Sequence, residues 1–175
     1  MTDYVSLYKQ MHLDPNMFRG NATKEYASEI SSLLSKFSVK SILDYGSGKG
    51  LQYTEDKLHE QYFNSVMPTC YDVGVEKFQT LPDGKFDAVI SVDVLEHIPE
   101  SQLDKVLTEI YQRATKCVFL GIHDSLALKK LPNGENAHCT VHPINWWVEL
   151  LSKYATVYTV VSCRGSKSST QVIEK

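Results

Sequence analysis

The residues best able to do chemistry in this 175-residue chain fall in three places. The first is DYGSGKG, residues 44–50, where Gly46, Gly48 and Gly50 alternate behind Asp44. Glycines at that spacing let the backbone turn sharply and approach a ligand without a Cβ in the way. A loop that cradles phosphate needs GxxxxGK followed by Ser or Thr, but Lys49 is followed by Gly50 and the leading glycine is missing. A dinucleotide turn needs a third small residue where Leu51 stands. Beside that dinucleotide turn, two readings stay open: a glycine turn with no ligand, and a D-x-G-x-G-x-G turn in which Asp44 sits near a cationic amino group and the glycines admit a bulky nucleoside.

The second place is Asp72, at the close of VMPTCYD. Its two oxygens can accept from two vicinal hydroxyls, or the residue simply opens a turn ahead of Val73 and Gly74. The third is DVLEHIP, residues 93–99, together with the later histidines His123, His138 and His142. Imidazoles suit removal of a hydroxyl proton near neutral pH, and they also serve simply to hydrogen-bond loops. Neutral imidazoles and carboxylates also fit a divalent ion chemically. Glu96, however, is expected to alternate onto the exterior of the following helix, and no bound metal is expected.

The elements that must position these groups are legible as a series. Residues 21–37 place Tyr26, Ile30, Leu33, Leu34 and Phe37 on one helical face, with Asn21 or Thr23 as cap. VKSILDYG reads as a buried strand running into a tight turn, residues 51–63 as a helix, and 66–71 as a second strand limited to an edge or a strand start by Pro68. FDAVISVD is a strand, a helix follows Pro99, and KCVFLGIH is the next strand. A last helix spans about residues 143–154, with Trp146 and Trp147 packing it on the sheet. ATVYTVVSCR and STQVIEK then flank RGSKS as a closing hairpin. Strand alternating with helix predicts a parallel sheet covered on both faces, whose ligands lie beyond the carboxyl ends of the strands.

ILDYGSGKG, Asp72 and FDAVISVDVLEHIPE together resemble the class I S-adenosylmethionine-dependent methyltransferases, by motif over residues 40–122 and by element order to 175. LPNGENAHCTVHPINWW is similar to a segment of small bacterial and phage methyltransferase-like proteins. The resemblance implies an α/β, Rossmann-like, doubly wound and mostly parallel sheet ending in an antiparallel hairpin. Only a short segment separates Asp72 from Leu81, so the third strand and the helix beside it are expected to be reduced. One domain, 1–175, is implied, with 1–38 as a helical cap and 39–175 as the sheet core.

S-adenosyl-L-methionine is the implied cofactor. Gly46 and Gly48 would pack on its methionine and ribose, Asp44 would face its amino group, and Asp72 would hold the ribose hydroxyls. Phe78 or Gln79 would serve adenine, Asp93 would lie by the methyl donor, and Arg19 of MFRG would pair with the methionine carboxylate. On the acceptor side, His138, His123, Asp93 and His97 are the candidate catalytic residues. DVLEHIP is similar to the metal-binding set of RNA 3′-terminal 2′-O-methyltransferases, but Asp93 replaces their first Glu and the run is common in metal-free members.

The implied activity is methyl transfer to oxygen or nitrogen of a small or peripherally presented acceptor. The alternative is a cofactor-binding partner module without turnover. A formal charge of −3 and a pI near 6.1 disfavour a nucleic-acid-coating protein. The four cysteines, Cys70, Cys117, Cys139 and Cys163, never form a CxxC pair, which argues against a disulfide framework or zinc knuckle. The start lacks a signal-peptide pattern and no run is long enough to cross a membrane, so a cytoplasmic location is expected.

Overall fold

β-branched and aromatic runs form strands β1 (Ile42–Tyr45), β2 (Thr69–Tyr71), β3 (Phe86–Val92), β4 (Ala114–His123), β5 (Tyr158–Arg164) and β6 (Ser169–Ile173). In the computed structural model, which describes residues 3–166 and 168–175, they make one sheet in the order 2-1-3-4-5-6. The first five strands are parallel, and β6 closes an antiparallel hairpin on β5. The helices are α1 (Tyr4–His12), α2 (Ala27–Lys36), α3 (Leu51–Thr54), α4 (Leu58–Tyr62), α5 (Glu100–Arg113) and α6 (Ile144–Leu151).

Alternate residues of the central strands face opposite layers, and both layers are apolar. On one face Ile30 and Leu34 of α2, with Tyr53, Leu58 and Phe63 around α3 and α4, pack on Ile42, Ile90 and Phe119. On the other, Leu103, Leu107 and Ile110 of α5 and Trp147 and Leu151 of α6 pack on Leu43, Val89 and Leu120. Cover on both faces is why these strands read as nearly continuous apolar runs. β1 has β2 on one side and β3 on the other, so the strand order reverses there and a crevice opens beyond the carboxyl ends of β1 and β3.

The structure departs from expectation in instructive places. The helix expected over 51–63 is two short helices, broken where Lys57 takes φ +54°. The 21–37 helix opens with a 3-10 turn, Ala22–Tyr26, and Asn21 makes no side-chain cap. β2 begins only after Pro68, which has no N–H to donate. Between Asp72 and Phe86 the described residues form no strand, only the 3-10 turn Glu76–Phe78. Of the expected 1–38 cap, the described residues 3–38 do not act as one unit. α2 belongs to a sheet face, whereas α1 lies over the carboxyl ends, joined to the 131–137 loop by Met11, Leu131 and Ala137. No helix among the described residues is long and apolar enough to cross a membrane.

Candidate active site

A cavity of about 1040 Å³ lies beyond the carboxyl ends of β1 and β3. Gly46, Gly48 and Asp72 line one wall, and Asp93, His97, His123 and His138 line the other. Tyr8 and His12 of α1 reach into it as well.

The first wall is shaped by backbone. Gly46 has φ +86°, and a Cβ there would lie 2.2 Å from a methyl of Val94. At Gly48, φ +56°, a Cβ would meet the Phe18 carbonyl oxygen at 2.5 Å. A strap, residues 18–20, runs along the loop: Lys49, Leu51 and Gln52 donate their N–H groups to Phe18, Arg19 and Gly20 at 3.0, 3.1 and 3.3 Å. The Lys49 ammonium donates to the Met17 carbonyl at 2.8 Å. The donors an anion would need at a helix start are therefore occupied by protein carbonyls, which weighs against the phosphate and dinucleotide readings.

Asp72 holds this wall together. Its Oδ2 accepts from the Gly48 N–H and its Oδ1 from the Gly74 N–H, both at 2.8 Å, and His12 Nε2 lies 3.5 Å from Oδ1. Each carboxylate oxygen has a second lone pair, so capacity for a diol remains. Asp44 does not line the cavity. It is buried beneath the loop, accepting from the Tyr53 hydroxyl at 2.7 Å and Gln52 Nε2 at 3.2 Å. Burial pushes its carboxyl up to about 7 despite those donors.

Phe78 and Gln79 do not line the cavity either. The Phe78 ring lies beside Gly50 and under the Lys77 ammonium, and its carbonyl accepts the Asp72 N–H at 3.0 Å, so it positions the carboxylate from behind. Val73, Ile98 and Val106 supply apolar lining on that side instead. Arg19 reaches the cavity edge with its guanidinium 3.0 Å from the Glu55 carboxylate.

A family model described as a methyltransferase domain matches residues 18–154. The chain belongs to the methyltransferase-domain family. Together with the mostly parallel six-stranded sheet, this makes it a class I S-adenosylmethionine-dependent methyltransferase-like protein. No curated protein matches the sequence. The methyltransferase match begins at the strap and ends before β5, so α1 lies outside it.

The second wall of the methyltransferase domain is made of side chains. Asp93 follows β3 at φ +53°, a left-handed conformation that is costly for a residue with a Cβ, and burial pushes its carboxyl above the usual range. His97 sits on the 3-10 turn Leu95–His97, and its Nδ1 lies 2.8 Å from the Ala137 carbonyl, so Nδ1 carries the hydrogen. His138 Nδ1 lies 2.6 Å from the Ser125 carbonyl and is likewise the donor. Burial lowers both pKa values, that of His97 to about 4, which keeps the rings neutral near pH 7. The His97 and His138 ring centres are 4.8 Å apart, and His123 lies 5.1 Å from His138. His142 does not join them; it pairs with Glu100 at 2.7 Å and stacks on Trp146.

Tyr8 and His12 carry no signal in the motifs above, and Glu96 lies elsewhere than expected. Glu96 is fully buried rather than on a helix exterior, with Oε1 accepting from the His123 N–H at 3.0 Å and Oε2 unpartnered. Burial pushes its pKa well above the usual value, and the Asp93 charge adds to this. Its carbonyl accepts from the Cys139 and Thr140 N–H groups, which fixes the loop that carries His138. Tyr8 donates to the Ala137 carbonyl at 2.6 Å, and His12 covers Asp72. The spacing of Tyr4, Leu7, Tyr8 and Met11 was the available signal for α1.

Proposed function

We propose that the protein transfers the methyl group of S-adenosylmethionine to an oxygen or nitrogen of a small-molecule or peripherally presented acceptor. The observation that carries this reading is one continuous cavity with the glycine loop and Asp72 on one wall and neutral imidazoles on the other. Ligand pockets usually measure about 300–1,000 Å³. At about 1040 Å³ this one has room for a nucleoside cofactor and a small acceptor together.

When bound, the cofactor supplies a sulfonium methyl whose thioether leaving group is already activated by charge. Asp72 offers its remaining lone pairs to the ribose hydroxyls, and Gly46 and Gly48 give the space a side chain would fill. The main task of the chain is then to hold donor and acceptor in line and apart from water. α1 covers the cavity and serves that exclusion. His123 and His138 stand where an acceptor hydroxyl would deliver its proton.

The net charge of −3 supports a small acceptor over a nucleic acid, and four free thiols suit a reducing, cytoplasmic setting. A binding module without turnover is the second reading, favoured by the missing strand after Asp72. Calorimetry with S-adenosylmethionine and S-adenosylhomocysteine, followed by a transfer assay on a metabolite pool, separates the two. Binding with transfer is the expected result. Binding without any transfer would favour the module, and failure to bind either compound would overturn both.

A further inference from the structure

The unpartnered oxygen of Glu96 is the least explained polar atom of the second wall. A buried carboxylate oxygen with no donor is unfavourable whether the group is ionised or neutral, unless something fills the gap. In both His97 and His138 the Nδ1–H is committed to a backbone carbonyl, so the nitrogen left to act as a base or ligand is Nε2. Glu96, His97 and His138 can each offer one ligand atom such that all three atoms lie within 4.8 Å of one another.

We propose that Glu96, His97 and His138 hold one divalent first-row transition-metal ion. Bonds to such an ion are about 2.0–2.2 Å, so ligands on opposite sides lie roughly 4 Å apart and adjacent ones closer. The observed spacing needs only small side-chain shifts to close on an ion. The outer contacts are those that ligands require: carbonyls of Ala137 and Ser125 orient the rings and fix their tautomers, and the His123 N–H holds the other carboxylate oxygen. Asp93 is not in the set, so the site has three protein ligands.

Two imidazoles and one carboxylate favour zinc, cobalt or manganese over magnesium, which prefers oxygen ligands and keeps its waters. Because His97 and His138 line the cavity, the remaining coordination positions face it, as in metal sites that keep a place for a substrate or water. An acceptor oxygen would take such a position, a step that rests on the methyl-transfer reading; metal binding itself does not. With His138 as a ligand, His123 is the rim imidazole left free to take a proton.

The test uses the full chain, stripped with a chelator and titrated with Co²⁺, followed by visible absorption and calorimetry, with no cofactor present. One equivalent is expected, displaced by Zn²⁺ but not by millimolar Mg²⁺. Glu96→Gln and His138→Gln should each weaken Co²⁺ binding by roughly 100-fold or more, beyond the 10–100-fold loss typical of outer-shell changes. His142→Gln, outside the cluster, should leave it unchanged. Circular dichroism checks the fold of each variant, and should Glu96→Gln fail to fold, His138→Gln carries the test. The assignment falls if no stoichiometric Co²⁺ or Zn²⁺ binds, or if binding survives His138→Gln. Since transfer activity is measured separately, failure here leaves the methyl-transfer reading standing, and the reverse also holds.

Discussion

Beyond β1 and β2 the cavity wall is mostly backbone, held in left-handed turns and tied by amide hydrogen bonds, whereas beyond β3 and β4 it is a cluster of ionisable side chains. The first wall draws its shape from residues close in sequence plus one strap. The second is assembled from Glu96 and His97 on one loop and His138 on another, 41 residues beyond His97, and is joined by the Glu96 carbonyl. A wall of backbone fixes the outline of a ligand, and a wall of neutral imidazoles and a buried carboxylate leaves lone pairs to be used. Shape and reactivity are thus separated across one cavity.

Breaking the first wall should have the largest effect. Gly20 holds φ +74°, and a Cβ there would lie 2.1 Å from the Ser47 carbonyl oxygen. Gly20→Ala should lower stability by roughly 3 kcal/mol or more, read as a shift of the denaturant midpoint. An unchanged midpoint would show that the strap can slide off the loop without penalty.

Asp44 lies under the same wall, and its pKa of about 7 stands above its usual 3.8. The stability it contributes is complete below about pH 3.8 and is lost as pH rises through about 7. Relative to Asp44→Asn, the wild-type chain should therefore lose on the order of 2–4 kcal/mol between pH 4 and 8, measured by chemical denaturation at each pH. A parallel pair of stability curves would remove Asp44 as the source.

Asp72→Ala deletes the acceptor shared by Gly48 and Gly74 and should weaken S-adenosylhomocysteine binding by about 1–3 kcal/mol in calorimetry. The corresponding change at the second wall, His138→Gln, should leave that affinity nearly intact while reducing any turnover by roughly 100-fold. Equal losses of cofactor affinity from both would erase the distinction between the walls.

The smallest effect is expected at His142, which the sequence grouped with the other late histidines. His142→Gln breaks a half-exposed pair with Glu100 and should change stability by less than about 0.5 kcal/mol.

What could be read from the sequence follows the same division. The glycine turn, the strand before it and the apolar runs of β3 and β4 are local patterns, and they stand where expected. The convergence of His97, His123 and His138 was legible through topology, because strand ends share one rim of a parallel sheet. The burial of Glu96 was not, since it depends on a loop some forty residues later folding back over the turn. Asp44 lies apart from the cavity for a related reason: Tyr53 and Gln52, from the helix after the loop, donate to its carboxylate beneath the glycine turn. Phe78 and Gln79 stand for adenine in the sequence only because FQTLP carries no acid at the matching position, and with no strand between Asp72 and Phe86 among the described residues that segment lies behind Asp72 instead.

The strap offers a clock as well as a support. Its carbonyls take the amide hydrogens of Lys49, Leu51 and Gln52, so those hydrogens exchange with solvent only when the strap lifts. Their exchange rates, set against those of the β4 core, measure how often residues 18–20 detach from the loop. Because α1 is carried on the same segment, that frequency bounds how quickly a ligand held beneath α1 can leave by this path.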